Sequence, residues 1–456
     1  KPTCFICYTV KGFGLPLAGH KDNHSGIMNN QQFSEYKNLM NIREGKEWDK
    51  TEGIDLDINQ FNSIIKSNVL YKSNREFSDT IKVKPIDEIV FSSNISTQEA
   101  FGKIMNEIGK INNSFTKRIV TTSPDVTVST SLGGWVNKKN IFSTHRKNDI
   151  FGEKKVYSAQ KWKYLPDGQH IELGIAENNL FLLLASLGIS DKLFGTRLLP
   201  IGTIYDTFIG RGLDALNYAT YINARFILIG TPSGVTLSHE GGAHQSIITP
   251  NIGISQPNLT YYEPSFADEL KFLFFWALEY IQKKDGTSIY FRLTTKKLIQ
   301  PNRKLSRIDQ KDIINGCYWF KKPKTKQPII LICTGVIVGE VEKFKKEIVD
   351  EEIDLGIIVA TSPDKLYSDW MSSKKDNSCS HIEKILGSIN RNSLIISIID
   401  AHSSSLSWVG SVLGHKVCPM GLNKFGQSGD LNEVYSYTNI DFKSIIDRIA
   451  KSLVNS

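Results

Sequence analysis

Glu177 stands three residues before an apolar run, Leu180, Phe181, Leu182, Leu183 and Leu184. A carboxylate in such a place is costly unless paired. A dry setting raises its proton affinity and lets it donate a hydrogen bond. On spacing alone it also reads as a surface or capping glutamate. About 30 residues on, Tyr205 and Phe208 stand three apart, either as two core aromatics or as walls for a flat ring. Ser238 to Ser246 carries His239, Glu240 and His244. Histidine suits proton transfer near neutral pH, while two His with a Glu also raise a metal site, although no helix sets them i, i+4. His20 and His24 sit in the loop KGFGLPLAGHKDNHSG. Asp125 ends a Ser-Pro-Asp turn, and Arg211 and Arg292 are candidates to grip an anionic substrate.

These residues need a scaffold of strands and helices in alternation. Residues 1–10 read as a buried strand and 31–94 as a polar linker with short helices. The pattern predicts a helix from Thr97 to Ile111, a strand from Arg118 to Thr122, and a helix from about Ala176 to Leu187 with Gly188 as its C′ residue. It predicts a strand from Arg225 to Gly230, a helix from a capping-box-like Ser265 start through Gln282, and a strand from Ser288 to Leu293. After Pro301 come strands Ile329–Cys333, Gly356–Ala360 and Leu394–Ile399, with helices near 337–349 and 442–453. Such alternation predicts an α/β fold with parallel sheets covered on both faces, and sites at the carboxyl ends of strands. The Asp125 turn and the 231–246 loop both follow strands.

The length, 456 residues, implies two or three domains. With 40 % hydrophobic and 22 % charged residues the composition is that of a globular protein. No run of about 18 apolar residues exists, so no membrane span is expected. The net charge of +8 comes from lysines spread along the chain, which argues against a nucleic-acid partner and is compatible with small anionic substrates. Of six cysteines, Cys4 and Cys7 form a C-x-x-C inside an apolar run. They are expected as buried free thiols, and a reducing cytoplasm follows.

Four segments, in order, resemble the transketolase and homodimeric pyruvate dehydrogenase family of thiamine-diphosphate enzymes. Gln169-His170-Ile171-Glu172-Leu173-Gly174-Ile175-Ala176-Glu177 is similar to its Gly-Ile-x-Glu motif, with Glu177 on the glutamate that activates the aminopyrimidine. Tyr205 to Asp214 resembles Y-x-x-F-x-x-R-x-x-D, whose aromatics pack on that ring. Ser238 to Ser246 resembles the Asp-Gly-x-x-His-Gln loop, with His244 facing the substrate and His239 on a second active-site position. Lys11 to Gly26 looks like the end of the diphosphate-binding domain, with His24, and next His20, over the thiazolium. Asp125 matches a polar turn at the pyrimidine-domain strand end. Phe425-Gly426-Gln427-Ser428-Gly429-Asp430 resembles a structural motif of the C-terminal domain.

The resemblance implies the end of a diphosphate-binding domain (1–30), a linker (31–94), a transketolase-like pyrimidine-binding domain (95–300) and a transketolase-like C-terminal domain (301–456). It implies thiamine diphosphate with Mg2+ as cofactors and a homodimer. It also implies decarboxylation of a 2-oxo acid such as pyruvate, with a lipoyl acyltransferase as partner; the alternative is ketol transfer between sugar phosphates. Two departures matter. No Gly-Asp-Gly occurs, so metal ligands are expected upstream of Lys1 and the chain is expected to be a fragment. In Ser131-Leu132-Gly133-Gly134-Trp135, Gly134 stands where transketolases carry a phosphate-gripping Arg, which favours the oxo acid.

Overall fold

A computed structural model describes residues 4–67, 80–86, 88–147, 158–344 and 354–454. The chain divides into two compact units, Lys1–Arg75 and Glu76–Ser456.

In the first unit, helices run over Asn30–Leu39 and Ile58–Ser67. The former starts at a capping box between Asn29 and Gln32. The strand expected at residues 1–10 is not formed: residues 4–10 have no regular structure, and Phe5, Ile6 and Tyr8 are exposed. A strand holds only against a neighbour that takes its N–H and C=O groups, and the described residues of this unit offer none. Cys4 and Cys7 are therefore exposed rather than buried.

The second unit is built on two parallel-type sheets. Eight strands lie in the order Tyr164–Leu165, Ile141–Phe142, His170–Glu172, Ile119–Ser123, Leu199–Ile204, Ile227–Gly230, Ser288–Arg292, Leu259–Tyr262, and every adjacent pair is parallel. Five strands follow in the order Cys317–Lys321, Leu355–Ala360, Ile329–Thr334, Ile395–Ile398, Val417–Met420, with only the Cys317–Lys321 edge antiparallel. The α/β architecture expected from the alternating pattern is thus present. The helix Thr97–Gly109 shows why: Ser96 and Glu99 form its capping box, and Ala100, Phe101, Ile104, Met105 and Ile108 recur at helical period on its buried face.

Three local expectations shift. Gly188 is the last residue of the helix Glu177–Gly188, not a left-handed C′ residue. A Cβ there would lie 2.6 Å from the Arg225 nitrogen, so glycine serves close packing. The helix Ala267–Tyr280 is entered one residue later than expected, at Phe266, because the Glu269 carboxylate takes the Ser265 and Phe266 N–H groups at 2.8 and 3.3 Å. Of the helix near 337–349, a 3-10 turn Gly335–Ile337 and a helix Val338–Glu342 are present; residues 345–353 lie outside the described residues. No helix among the described residues is long and apolar enough to cross a membrane.

The strand Leu259–Tyr262 meets the helix Pro363–Asp376, which follows the second-sheet strand Leu355–Ala360, through Asp364, whose Oδ2 accepts the Tyr261 N–H at 3.1 Å. Burial pushes this carboxyl from 3.8 up to about 7, against the pull of that N–H. Above about pH 4 the unfolded chain releases this proton while the folded carboxyl keeps it. Stability therefore falls as pH rises from about 4 to about 7 and then levels off. Asp364→Asn keeps an acceptor for Tyr261 and removes the charge. It is expected to stabilise on the order of 2–3 kcal/mol at pH 8 and to have no such effect at pH 4. Thermal unfolding at the two pH values measures this, and an equal shift at both would disprove it.

Candidate active site

The chain leaves the strand Ile119–Ser123 first toward His170–Glu172 and later toward Leu199–Ile204 on its other side. Where connections diverge like this, a crevice opens at the carboxyl ends of the strands. The helix after His170–Glu172 begins there with Glu177 as its first residue. The strand Leu199–Ile204 delivers Tyr205 and then a 3-10 turn, Asp206–Gly212. Three residues per turn bring positions i, i+3 and i+6 to one side, which aligns Tyr205, Phe208 and Arg211. The Tyr205 and Phe208 rings stack at 5.9 Å and 15°, and the Arg211 guanidinium lies 3.7 Å over the Phe208 ring. Arg211 Nη1 donates to Glu177 Oε1 at 2.5 Å. The turn packs onto the Glu177 helix because Gly212 has no Cβ, which would sit 2.3 Å from Phe181.

The glutamate therefore meets a guanidinium. Its side chain is 12 % exposed and that of Arg211 54 %. His244 completes the cluster, its ring edge-on to Phe208 at 5.5 Å and to Tyr205 at 6.4 Å. Its Nδ1 is buried with no hydrogen-bond partner among the described residues, and its Nε2 lies 3.8 Å from Glu240. His239 is exposed, 4.0 Å from the other Glu240 oxygen. The Phe425–Asp430 segment clamps this loop: Gln245 donates to Gln427 O at 3.0 Å, Ser428 Oγ to His239 O at 3.1 Å, and Gly429 N to Ser238 O at 3.1 Å.

Asp125 stands apart from the cluster, exposed in a turn with φ +64°. Its N–H donates to Glu172 Oε1 at 2.8 Å, and Thr127 donates to Glu172 Oε2 at 2.7 Å. Burial works against the Glu172 anion, but bonds from His170, Thr127 and Asp125 prevail and hold the carboxyl below its usual range. His20 and His24 belong to the first unit: His20 Nδ1 accepts the Asp22 N–H at 3.1 Å, and His24 Nδ1 lies 3.0 Å from Lys11 Nζ. At Gly134 a Cβ would meet Asn106 at 3.0 Å, so this position packs on the Thr97–Gly109 helix.

Arg292 is corrected from substrate grip to framework. It is 1 % exposed, and all three guanidinium nitrogens are engaged: Nε with Asp206 at 3.0 Å, Nη1 with Glu263 at 2.9 Å, Nη2 with Asp400 O at 2.8 Å. Asp206 also accepts from Ser246 at 2.5 Å, Thr249 at 2.6 Å and the Tyr290 hydroxyl. Burial pushes the Glu263 and Asp400 carboxyls up, with Arg292 opposing. This network joins the aromatic turn, the histidine loop and the second sheet. Sequence reading missed Asp206 as its hub. The available signal was an acid two residues after the apolar run that ends at Ile204, a place where an unpaired charge is costly.

The fold is thus an α/β module with a larger, wholly parallel sheet and a smaller sheet toward its C-terminus. Residues 93–300 match the family model of the transketolase pyrimidine binding domain, and residues 316–441 that of the transketolase-like C-terminal domain. The chain belongs to the transketolase and pyruvate dehydrogenase family of thiamine-diphosphate enzymes. It is 23 % identical over 370 residues to 1-deoxy-D-xylulose-5-phosphate synthase of Clostridium tetani, covering 79 % of this chain and 49 % of that protein. It is 24 % identical over 368 residues to the pyruvate dehydrogenase E1 component of Pseudomonas aeruginosa, covering 76 % and 40 %. The chain thus spans half or less of the length of these relatives. The transketolase of Campylobacter jejuni superposes with a TM-score of 0.59 at 15 % identity, covering 92 % of this chain and 52 % of that one. A split-gene transketolase, described as an inactive beta4 tetramer, superposes at 0.53 with 17 % identity, covering 79 % of this chain and 99 % of that one.

Proposed function

We propose that this chain is the pyrimidine-binding and C-terminal part of an enzyme that decarboxylates a 2-oxo acid, pyruvate, and passes the two-carbon unit to a lipoyl acceptor. The observation that carries the use of thiamine diphosphate is the convergence of Glu177, Tyr205, Phe208 and His244 in one crevice. A carboxylate, stacked rings and a buried imidazole nitrogen without a partner suit an aromatic heterocycle with ring nitrogens. When bound, the cofactor supplies the nucleophilic carbon. Glu177 holds the far nitrogen of the aminopyrimidine, and Phe208 and Tyr205 wall the ring. Arg211 lies over Phe208 and on Glu177, so its guanidinium would have to leave both for a ring to pack on that face. His244 moves a proton at the substrate oxygen, with Glu240 orienting it and His239 at the mouth. Asp125 shapes the turn at the neighbouring strand end. The family resemblance would assign His24 and His20 to the end of a diphosphate-binding domain, the domain that would also hold Mg2+.

Pyruvate is favoured because Gly134 carries no guanidinium and Arg292 is spent in the core. The reading predicts carbon dioxide release from pyruvate with an artificial electron acceptor in the assembled enzyme, and little ketol transfer from xylulose phosphate. Efficient ketol transfer without decarboxylation would promote the second reading, a transketolase, which the half-exposed Arg211 at the cleft favours.

A second copy is the proposed partner. Leu182 on the Glu177 helix, and Tyr218 and Tyr221 on the adjoining helix Leu213–Tyr221, are exposed. Apolar groups so placed suit an interface. Leu182→Asp with Tyr221→Asp is expected to shift the protein from dimer to monomer in sedimentation and to weaken cofactor binding at least tenfold. An unchanged sedimentation coefficient would exclude this surface. The residues 1–456 alone are expected to bind thiamine diphosphate weakly, and tight Mg2+-dependent binding would move the metal site into this chain.

A further inference from the structure

At the opposite end of the Glu177–Gly188 helix, 12 residues and about 18 Å along its axis, lies a small open pocket of about 50 Å³. Its walls come from the helix end, the entry to the strand Leu199–Ile204, the residues before Ile227–Gly230, and the turn after Ala267–Tyr280. It therefore lies at the amino edge of the sheet, away from the catalytic crevice. Five cationic side chains line it: Lys192, Arg197, Arg225, Lys283 and Lys284. Against them stand Asp191, in the lining, and Asp285, whose charge reaches Arg225.

Basic residues at helix C-termini ordinarily serve the carbonyls there, and Arg197 does so. It donates to Gln282 O at 3.1 Å and to Asp191 at 3.0 Å. Arg225 does not follow. Its side chain makes one 3.5 Å contact, to Lys284 O, and its Nη1 is buried with no acceptor among the described residues. A guanidinium carries five donors in a rigid fork, and leaving buried donors unmet is unfavourable. Its neighbours Lys283 and Lys284 are exposed at the mouth, where they add to the excess positive field instead of neutralising it.

We propose that this pocket binds a phosphate group, either free phosphate or that of a small phosphomonoester, with Arg225 as the fork and Lys283 and Lys284 as flanking charges. Planar guanidinium and point-charge ammonium groups together are the usual donor set for a dianionic oxyanion. The excess of cationic over acidic groups makes the binding salt-dependent.

Calorimetric titration of the chain with inorganic phosphate and with glycerol 3-phosphate tests this. Saturable binding is expected, weakened at least tenfold by Arg225→Gln and by the surface pair Lys283→Gln with Lys284→Gln, and unchanged by Arg211→Gln. The Arg225 substitution leaves its backbone bond to Gly188 O in place, and the lysine pair gives a second reading if Arg225→Gln unfolds. Tighter binding of glycerol 3-phosphate assigns the site to a metabolite, and equal binding to free phosphate. Absence of saturable binding overturns the proposal. So does equal affinity in the lysine variant, or loss of binding on Arg211→Gln, which would put the ion in the catalytic crevice.

Discussion

Glu177→Gln is expected to fold as the wild type does and to lose about 10²- to 10⁴-fold in turnover of the assembled enzyme. The proposed role needs a carboxyl that holds a ring nitrogen and shares its proton, which the glutamine amide cannot do. The folding half of the expectation follows from the site. Glu177 is paired with a half-exposed Arg211, and a pair of that kind is worth about 0–1 kcal/mol. Its backbone position at the start of the helix is unaffected. Circular dichroism checks the fold, and carbon dioxide release checks turnover. Activity within a few-fold of wild type would remove Glu177 from the mechanism.

The second large effect is on stability. Arg292→Met is expected to destabilise by about 3–5 kcal/mol, because breaking a buried ion pair leaves its partners charged and unmatched. Here the stranded groups are Asp206 and Glu263, both buried. The loss should be largest at neutral and higher pH, because burial pushes the Glu263 carboxyl up with Arg292 opposing, and at lower pH it can take a proton and shed the unmatched charge. Denaturant unfolding at pH 5 and pH 8 reads both the size and the trend. The same Asp206 holds Ser246 and Thr249 beside the histidine loop, so activity is expected to fall with stability. A loss under 1 kcal/mol would mean that the network is not the joint between the two sheets.

Much of the site was legible because it rests on local spacing. Tyr205, Phe208 and Arg211 align since a 3-10 turn repeats every three residues, and the intervals are written in the sequence. Glu177 opens its helix because the apolar run starts just after it. The strands Ile119–Ser123, Ile227–Gly230, Ser288–Arg292 and Ile329–Thr334 were likewise carried by short β-branched and aromatic runs bounded by turn residues. The opening segment was misread for the converse reason. Phe5, Ile6 and Tyr8 have strand composition, but a strand needs a neighbour, and composition does not say whether one is there.

The sequence by itself therefore determined the α/β class, the order of the elements, and which residues stand close along the chain: the glutamate with its helix, the aromatic triplet on its turn, the two histidines in their loop. Tertiary structure alone decided what each charge faces. Arg211 reaches Glu177 across 34 residues, and Arg292 spans 86 residues to Asp206 and 108 to Asp400. In sequence the two arginines were equivalent candidates. Packing leaves one half-exposed at the crevice and closes the other in the core, because burying a guanidinium is tolerable only where the fold assembles acceptors for every nitrogen. That assembly is a property of distant segments meeting, which local pattern does not encode.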